Sequence, residues 1–306
     1  MILSPLSLGA SLYVPATCPN LAAVANGKNM PALRSVILCT EDSILPGQVD
    51  TALENLRRCL PQLGANAPLV FVRPRNTAVL ANILTMEGVG HITGFVVPKA
   101  TRESLVAHVA LIPKRFLLMP ILETREVFDP AEVAGIRQAL LTPGVRERVL
   151  ALRIGGNDLM NLLGIRRRPG RTIYDGAIGP VIASLATAFT PDGFSLTAPV
   201  FEEFGDLETL DEEVFRDLEH GLVGKTAIHP SQVSRIEKHY RVSSMDLAMA
   251  SRVLEPGAPA VFPVEQVMCE PATHTAWARS VVARASIYGV MEGVERAGDL
   301  PGRNQS

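Results

Sequence analysis

The chain has 306 residues, of which 47% are hydrophobic and 20% charged, with a formal net charge of −2 at pH 7. That length and composition suit a globular protein of one large domain or two ordinary ones, and so small a charge supplies no broad cationic field for nucleic acid or an anionic membrane. The four cysteines, Cys18, Cys39, Cys59 and Cys269, are too few for a disulfide framework and lack the paired spacing of a zinc site, so reduced thiols in a cytoplasmic protein are expected.

The opening "MILSPLSLGASLYVPATCPN" has no basic residue ahead of its apolar ones. No segment reaches the roughly 18 continuous apolar residues that span a bilayer, so neither secretion nor anchoring is expected. From Ser11 onward, short β-rich apolar runs alternate with longer stretches of helical spacing. The candidate strands begin with "SLYVP" from Ser11, "SVILCT" from Ser35, "PLVFVRP" from Pro68 and "GFVVPK" from Gly94. They continue with "RFLLMPILE" from Arg115, "RVLALRIG" from Arg148, "FSLTAPV" from Phe194 and "LVGKTAI" from Leu222, making eight. Intervening segments such as "GQVDTALENLRRCLPQL" and "LETLDEEVFRDLEHG" place apolar residues three or four apart, as outer helices do. Eight βα units in about 230 residues predict a (β/α)8 TIM barrel rather than an open doubly wound sheet.

The barrel is expected to occupy residues 1–240, with a helical extension over 241–306 that packs on it or reaches a neighbouring subunit. In that extension "SMDLAMASRVLEP" and "PATHTAWARSVVARASIYGVMEGVERAG" read as helices separated by a Pro- and Gly-rich break, and "DLPGRNQS" as a frayed end. The one basic cluster, "RRRPGR" at Arg166–Arg171, reads equally as a solvated loop or a phosphate-contacting one.

In a (β/α)8 protein the chemistry sits at the C-terminal ends of the strands, so polar residues that end apolar runs carry the information. Glu41 and Asp42 end the second run, Arg73 and Arg75 the third, Glu123 the fifth and Asp158 the sixth, with Lys225 and His229 around the end of the eighth. Glu123 and Asp158 offer the hard oxygens that Mg2+ takes from one or two protein carboxylates, its other positions going to water and substrate. A carboxylate after a strand is also a common helix cap. Gly155 and Gly156 would bring backbone close to a ligand ahead of a helix start, with Asn157 beside it as a substrate contact, unless the stretch is a plain strand-to-helix turn capped by Asn157 or Asp158; Arg73 could pair with a substrate carboxylate or an oxyanion. Arg75 is the alternative to Arg73, since the register after Pro74 is open.

Taken in order, "LYVPATCPN", "VILCTEDSI", "FVRPRN", "VVPKA", "PILETREV", "IGGNDLMNLLGI" and "GLVGKTAIHPSQV" resemble the HpcH/HpaI aldolase and citrate lyase family, most of all its citrate lyase β-subunit-like branch. The resemblance implies a TIM barrel assembled as a homotrimer or a multiple of it. It also implies Mg2+-dependent carbon–carbon bond chemistry on a 2-oxo or hydroxy acid, with acyl-CoA thioesters such as malyl-, citramalyl- or citryl-CoA among the substrates. Glu123 and Asp158 would then be metal ligands and Arg73 the substrate and oxyanion arginine. Glu41 and Asp42 would hold that arginine and the metal-bound waters, and Lys225, His229 and Pro230 would lie near the nucleotide end of a thioester. Related lyases supply an acid from a neighbouring subunit, in an Asp-x-Pro-like motif for which Glu270 before Pro271 stands here. "LCTED" and "RPRN" depart from the family pattern, and "RRRPGRTIYDGAIGP" in place of a familiar loop suggests a substrate that differs from citrate or malate. The alternative function is a metabolite-binding or assembly protein that keeps the barrel and metal site without turnover.

Overall fold

A computed structural model of the chain describes residues 3–291. The expectation of a frayed "DLPGRNQS" lies outside the described residues. The chain divides into two compact units, the first ending at Ile236 and the second beginning at Glu237.

In the first unit, eight strands alternate with helices. The chain runs through β1 (Gly9–Pro15), α1 (Leu21–Ala25), β2 (Ser35–Cys39), α2 (Val49–Cys59), β3 (Leu69–Arg73), α3 (Thr77–Leu84), β4 (Gly94–Val97) and α4 (Arg102–Leu111). It continues with β5 (Leu117–Leu122), α5 (Pro130–Leu140), β6 (Leu152–Ile154), α6 (Gly156–Leu162), α7 (Ile178–Phe189), β7 (Leu196–Thr197), α8 (Leu207–Glu219), β8 (Gly224–Ala227) and α9 (Pro230–His239). All eight runs expected as strands are strands, although β7 keeps only two residues of "FSLTAPV". The strands pair in parallel in the order β7-β6-β5-β4-β3-β2-β1-β8. The ring closes through a parallel bridge between Ala198 and Lys225, reinforced by the Ala198 N–H donating to the Gly224 carbonyl at 2.7 Å.

Strand alternation decides what fills this barrel. One face of the sheet turns Ile37, Phe71, Val96, Met119, Ile121 and Ala151 into a shared buried cluster, which Leu8, from the turn ahead of β1, and Leu150 join. Parallel register places Ile121 beside Arg153, Arg153 beside Thr197, and Ser11 beside Thr226. Charged and hydroxyl side chains therefore join the barrel interior above its apolar floor.

Lys225 takes the opposite face of β8 and departs from the expected substrate-side position. It is fully buried, and its Nζ donates to Glu213 and Asp217 of α8, at 2.9 Å each. Those acids stand one helical turn apart, so both reach the same ammonium. Burial pushes the Asp217 carboxyl up to about 6 despite Lys225 beside it. Glu213 also binds the buried Arg167, which bonds Glu202 at 2.9 Å. One arginine of "RRRPGR" is thus a buried anchor of its loop, and Arg166, Arg168 and Arg171 line a separate cavity of about 460 Å3.

The second unit has its own small core of Val242, Ala250, Val253, Phe262, Cys269, Ala278 and Val281. Around it lie β9 (Val242–Ser243), α10 (Ser244–Val253), the antiparallel pair β10 (Phe262–Val264) and β11 (Val267–Cys269), α11 (Pro271–Tyr288) and β12 (Val290–Met291), which pairs in parallel with β9. The first expected helix is present as α10, the second ends at Tyr288 and gives way to β12, with its expected remainder from residue 292 outside the described residues, and the break between them contains a hairpin. No helix among the described residues is long and apolar enough to cross a membrane.

Candidate active site

The strand ends of β2 to β6 bring the candidate residues to one rim. Arg73, the last residue of β3, is buried and directs Nη2 at three carboxylates: Glu41, Asp42 at 3.1 Å and Glu123 at 3.0 Å. Among the described residues no bond falls on its Nη1, and its Nε is buried without a partner. Burial opposes the charge on Arg73, yet Glu123, Tyr13 and Glu41 outweigh it and raise its pKa. Arg75 instead braces backbone, donating to the carbonyls of Glu41 at 2.9 Å and Ile44 at 2.8 Å. The register left open after Pro74 is thereby resolved: Arg73 faces the rim, and Asn76 caps α3 by accepting from the Val79 N–H at 2.9 Å.

Lys99, two residues after β4, completes the cluster and was absent from the expected set. Its Nζ pairs with Glu41 and lies 3.2 Å from Asp42, while its backbone N–H donates to Glu123 Oε1 at 2.8 Å. That N–H is aimed by a left-handed backbone with φ of 47°, a costly conformation for a side-chain-bearing residue and one that recurs at functional sites. The signal in sequence was the one that marked the others, a charged residue ending the run "GFVVPK".

These contacts set the charges. Burial raises the Glu41 carboxyl above its ordinary value against the pull of Arg73. Burial also acts upward on Asp42, but the hydrogen bond with Glu41 and the charges of Arg73 and Lys99 hold its pKa below the ordinary value. Glu123 is pushed up to about 7, first by burial, which outweighs Arg73, and further by the neighbouring charge of Asp158. Arg73 and Lys99 both bond Glu123 Oε1, leaving Oε2 on the side of Gly155.

Asp158 stands in the first turn of α6, half-buried, and lines with Asp42, Arg73, Glu123, Arg153 and Asn157 a cavity of about 280 Å3. Gly155 and Gly156 line it too, but protein atoms explain them better than close ligand approach. A Cβ on Gly155 would sit 2.3 Å from the Cβ and 2.6 Å from Oε2 of Glu123, and one on Gly156 would meet Ile173 at 2.7 Å and Pro199 at 2.8 Å. Gly155 is what lets Glu123 stand at the rim. Gly155→Ala is therefore expected to displace Glu123 and to destabilise the fold by about 1–3 kcal/mol. A thermal melt checks this, and wild-type stability in that variant would refute it.

His229 follows β8 but does not line this cavity. Its exposed ring stacks on Phe204 with centroids 4.9 Å apart, and its Nδ1 lies 2.7 Å from Ser231 Oγ. Glu270 is the residue before α11 in the second unit, where its backbone N–H donates to His274 Nδ1 at 2.9 Å. Arg153, on the inner face of β6, was also absent from the expected set, a lone charge inside the run "LALRIG".

Among the described residues no group of three or more His, Cys, Asp or Glu side chains could hold a metal ion. A closed zinc site needs such a group; two carboxylates beside an open cavity fit a hard cation that keeps water and substrate in its other positions.

Eight parallel strands alternating with helices, with a cluster of carboxylates at the C-terminal rim, define a (β/α)8 barrel. The chain matches, over residues 2–290, the family described as C–C bond lyases of the TIM-barrel fold, and it belongs to that family. A curated relative, a (3S)-malyl-CoA thioesterase of Cereibacter sphaeroides, is 27% identical over 157 residues, 51% of this chain and 50% of the relative. The match thus spans about half the length of that protein. Among solved structures, the Mycobacterium tuberculosis protein CitE in complex with magnesium, acetoacetate and coenzyme A is 27% identical with a TM-score of 0.68, covering 92% of this chain and 99% of that one. A citrate lyase β subunit from M. tuberculosis, complexed with oxaloacetate and magnesium, shares the fold at 24% identity and a TM-score of 0.61, covering 78% of this chain and all of that one.

Proposed function

We propose that this chain is a Mg2+-dependent carbon–carbon lyase or aldolase acting on a 2-oxo or 2-hydroxy acid, with an acyl-CoA thioester as one form of the substrate. The observation that carries this reading is the meeting of Glu123, Asp158 and Arg73 at one cavity on the C-terminal rim of the barrel. The magnesium and coenzyme A in the M. tuberculosis CitE structure support it.

Glu123 and Asp158 would hold the metal, which when bound supplies Lewis acidity toward the oxygens of the substrate acid. Arg73, with Nη1 uncommitted, would steady the negative charge that develops on oxygen as the carbon–carbon bond breaks or forms. Glu41, Asp42 and Lys99 would fix that guanidinium and the Glu123 carboxylate in place. Asn157, exposed beside Asp158, would contact substrate. His229 and its stacked partner Phe204 would meet the outer part of a long substrate. The proton-moving acid is proposed as Glu270 of a neighbouring copy in a homotrimer or a multiple of it.

Calorimetry with pyruvate is expected to detect binding only when Mg2+ is present, and Asp158→Ala to abolish it; unchanged, metal-independent binding in that variant sinks the proposal. Glu270→Gln alone is expected to lose turnover, and wild-type turnover in it removes Glu270 from the reaction; mixing inactive Asp158→Ala and Glu270→Gln chains should restore turnover if Glu270 serves a neighbour's site, whereas a mixture as inactive as its parts overturns that action in trans. Binding without any product across an acyl-CoA and oxo-acid panel, read by mass spectrometry, would favour the metabolite-binding alternative.

A further inference from the structure

Arg153 has no task in the reaction just outlined. Its side chain lies inside the barrel and is 1% exposed. Nη2 donates to Thr226 Oγ1 at 2.6 Å and Nη1 to Ser11 Oγ at 3.3 Å, with Met119 Sδ at 3.9 Å, and the guanidinium carbon is 5.4 Å from the centre of the Tyr13 ring. Among the described residues it has no ion-pair partner.

Other buried cations of this chain are compensated differently. Arg73 meets three carboxylates, Arg167 and Lys225 two each, and Arg148 three backbone carbonyls. Arg153 has two hydroxyls and a thioether. A guanidinium carries five N–H donors in a planar fork, and neutral hydroxyls satisfy neither all of them nor the charge, so its burial is costly until an anion arrives.

The surroundings point to where the anion enters. Arg153 lines the same cavity as Glu123 and Asp158, on the strand that leads to Asp158. Thr197, its register partner on β7, faces the same side of the sheet and has a buried Oγ1 without a partner among the described residues, a second unused donor in that layer. An interior arginine that only filled space would need no opening to the cavity.

We propose that Arg153 seats a second anionic group of the substrate, a carboxylate carried on the chain beyond the acid head that Glu123, Asp158 and Arg73 bind. This rests on the lyase reading above. It makes the preferred head group a 2-hydroxy or 2-oxo dicarboxylate, and it makes Arg153 the residue that selects it over a monocarboxylate. A planar fork facing a carboxylate gives that selection its geometry, and a monocarboxylate of equal size would leave the fork unpaired.

The test compares malate with 2-hydroxybutyrate, alike in the acid head but differing in the second carboxylate, at saturating Mg2+ by calorimetry. Wild-type protein is expected to bind malate at least about tenfold more tightly, Arg153→Met to erase that preference while its 2-hydroxybutyrate affinity stays within about threefold, and Arg153→Lys to keep part of it. If Arg153→Met does not fold, the wild-type preference and its reduction in Arg153→Lys decide the matter. Absence of a preference in wild type, or an undiminished one in the variants, overturns the subsite alone. Wild-type protein that binds neither these acids nor pyruvate with Mg2+ overturns the lyase reading, and the Arg153 subsite with it.

Discussion

Arg73→Met is expected to lower turnover by roughly a hundredfold or more and to destabilise the fold by about 3–5 kcal/mol, the largest combined loss of any single change at the rim. The stability loss follows from what the guanidinium leaves behind. Glu41 and Glu123 are 4% and 3% exposed, so removing the shared cation strands two carboxylates away from water. They would respond by taking up protons, and Lys99 can relieve only part of the deficit, because its Nζ reaches Glu41 and Asp42 while Glu123 receives only its backbone N–H. Arg73→Lys should not rescue, since one ammonium on a flexible stem cannot reproduce a planar group that meets three acids and leaves Nη1 for a substrate. Urea denaturation gives the stability difference, and turnover under metal saturation gives the rate. A variant of wild-type stability would show that the cluster does not depend on Arg73; one with wild-type turnover would remove Arg73 from the reaction.

The barrel was legible because each of its strands is an apolar run bounded by polar or turn residues, and both faces of a parallel barrel sheet are buried. The same property hid Arg153. In "LALRIG" the inward and outward positions are both apolar apart from that one residue, so periodicity does not say which way it faces. Lys225 failed for the complementary reason. In "GKTAI" a shift of one position exchanges the inner and outer faces, and the strand's pairing gives the interior to Thr226 and the helix-facing side to Lys225. The acids and Arg73 were readable because they end their strands, where the chain leaves the sheet at the rim. Lys99 obeys the same rule, and only its side-chain and backbone contacts reveal that it ties Glu41 to Glu123.

In the second unit the β10–β11 hairpin was illegible for a local reason. It turns at Glu265 and Gln266 without the Asn-Gly or Gly-containing pair that marks a tight hairpin, and Glu265 takes a φ of 52° that its residue type does not advertise. Strands β9 and β12 are two residues long, too short for any alternation to register. The glycines of "IGGND" suggest room for a ligand in one dimension; in the fold both line the cavity, and the space a Cβ would take there is filled by Glu123, Ile173 and Pro199.

The metal-free protein is expected to lose stability as the pH rises from about 4.5 to 7, and Mg2+ to restore it mainly at the upper end of that range. The sign comes from Glu123, whose carboxyl is pushed from an ordinary value of 4.5 up to about 7 by burial and by Asp158, against the opposing charge of Arg73. Between those two values the folded chain holds a proton there that the unfolded chain has released, so raising the pH favours unfolding. Above about 7 both states are ionised and the slope disappears; the contribution is at most ~3 kcal/mol. Asp217, pushed up to about 6 by burial, adds a slope of the same sign that ends at lower pH and lies away from the cavity, so metal should leave it untouched. A divalent cation in the cavity competes with the proton on Glu123 and leaves the one on Asp217 alone. Thermal melts from pH 5 to 8 should therefore show little shift on adding Mg2+ at pH 5 and a shift of several degrees at pH 8. In Glu123→Gln the Mg2+-reversible part should vanish while the slope from Asp217 survives. A Mg2+ shift equal at both ends of the range, or one retained in Glu123→Gln, would remove Glu123 from the metal site and leave Asp158 without its proposed partner.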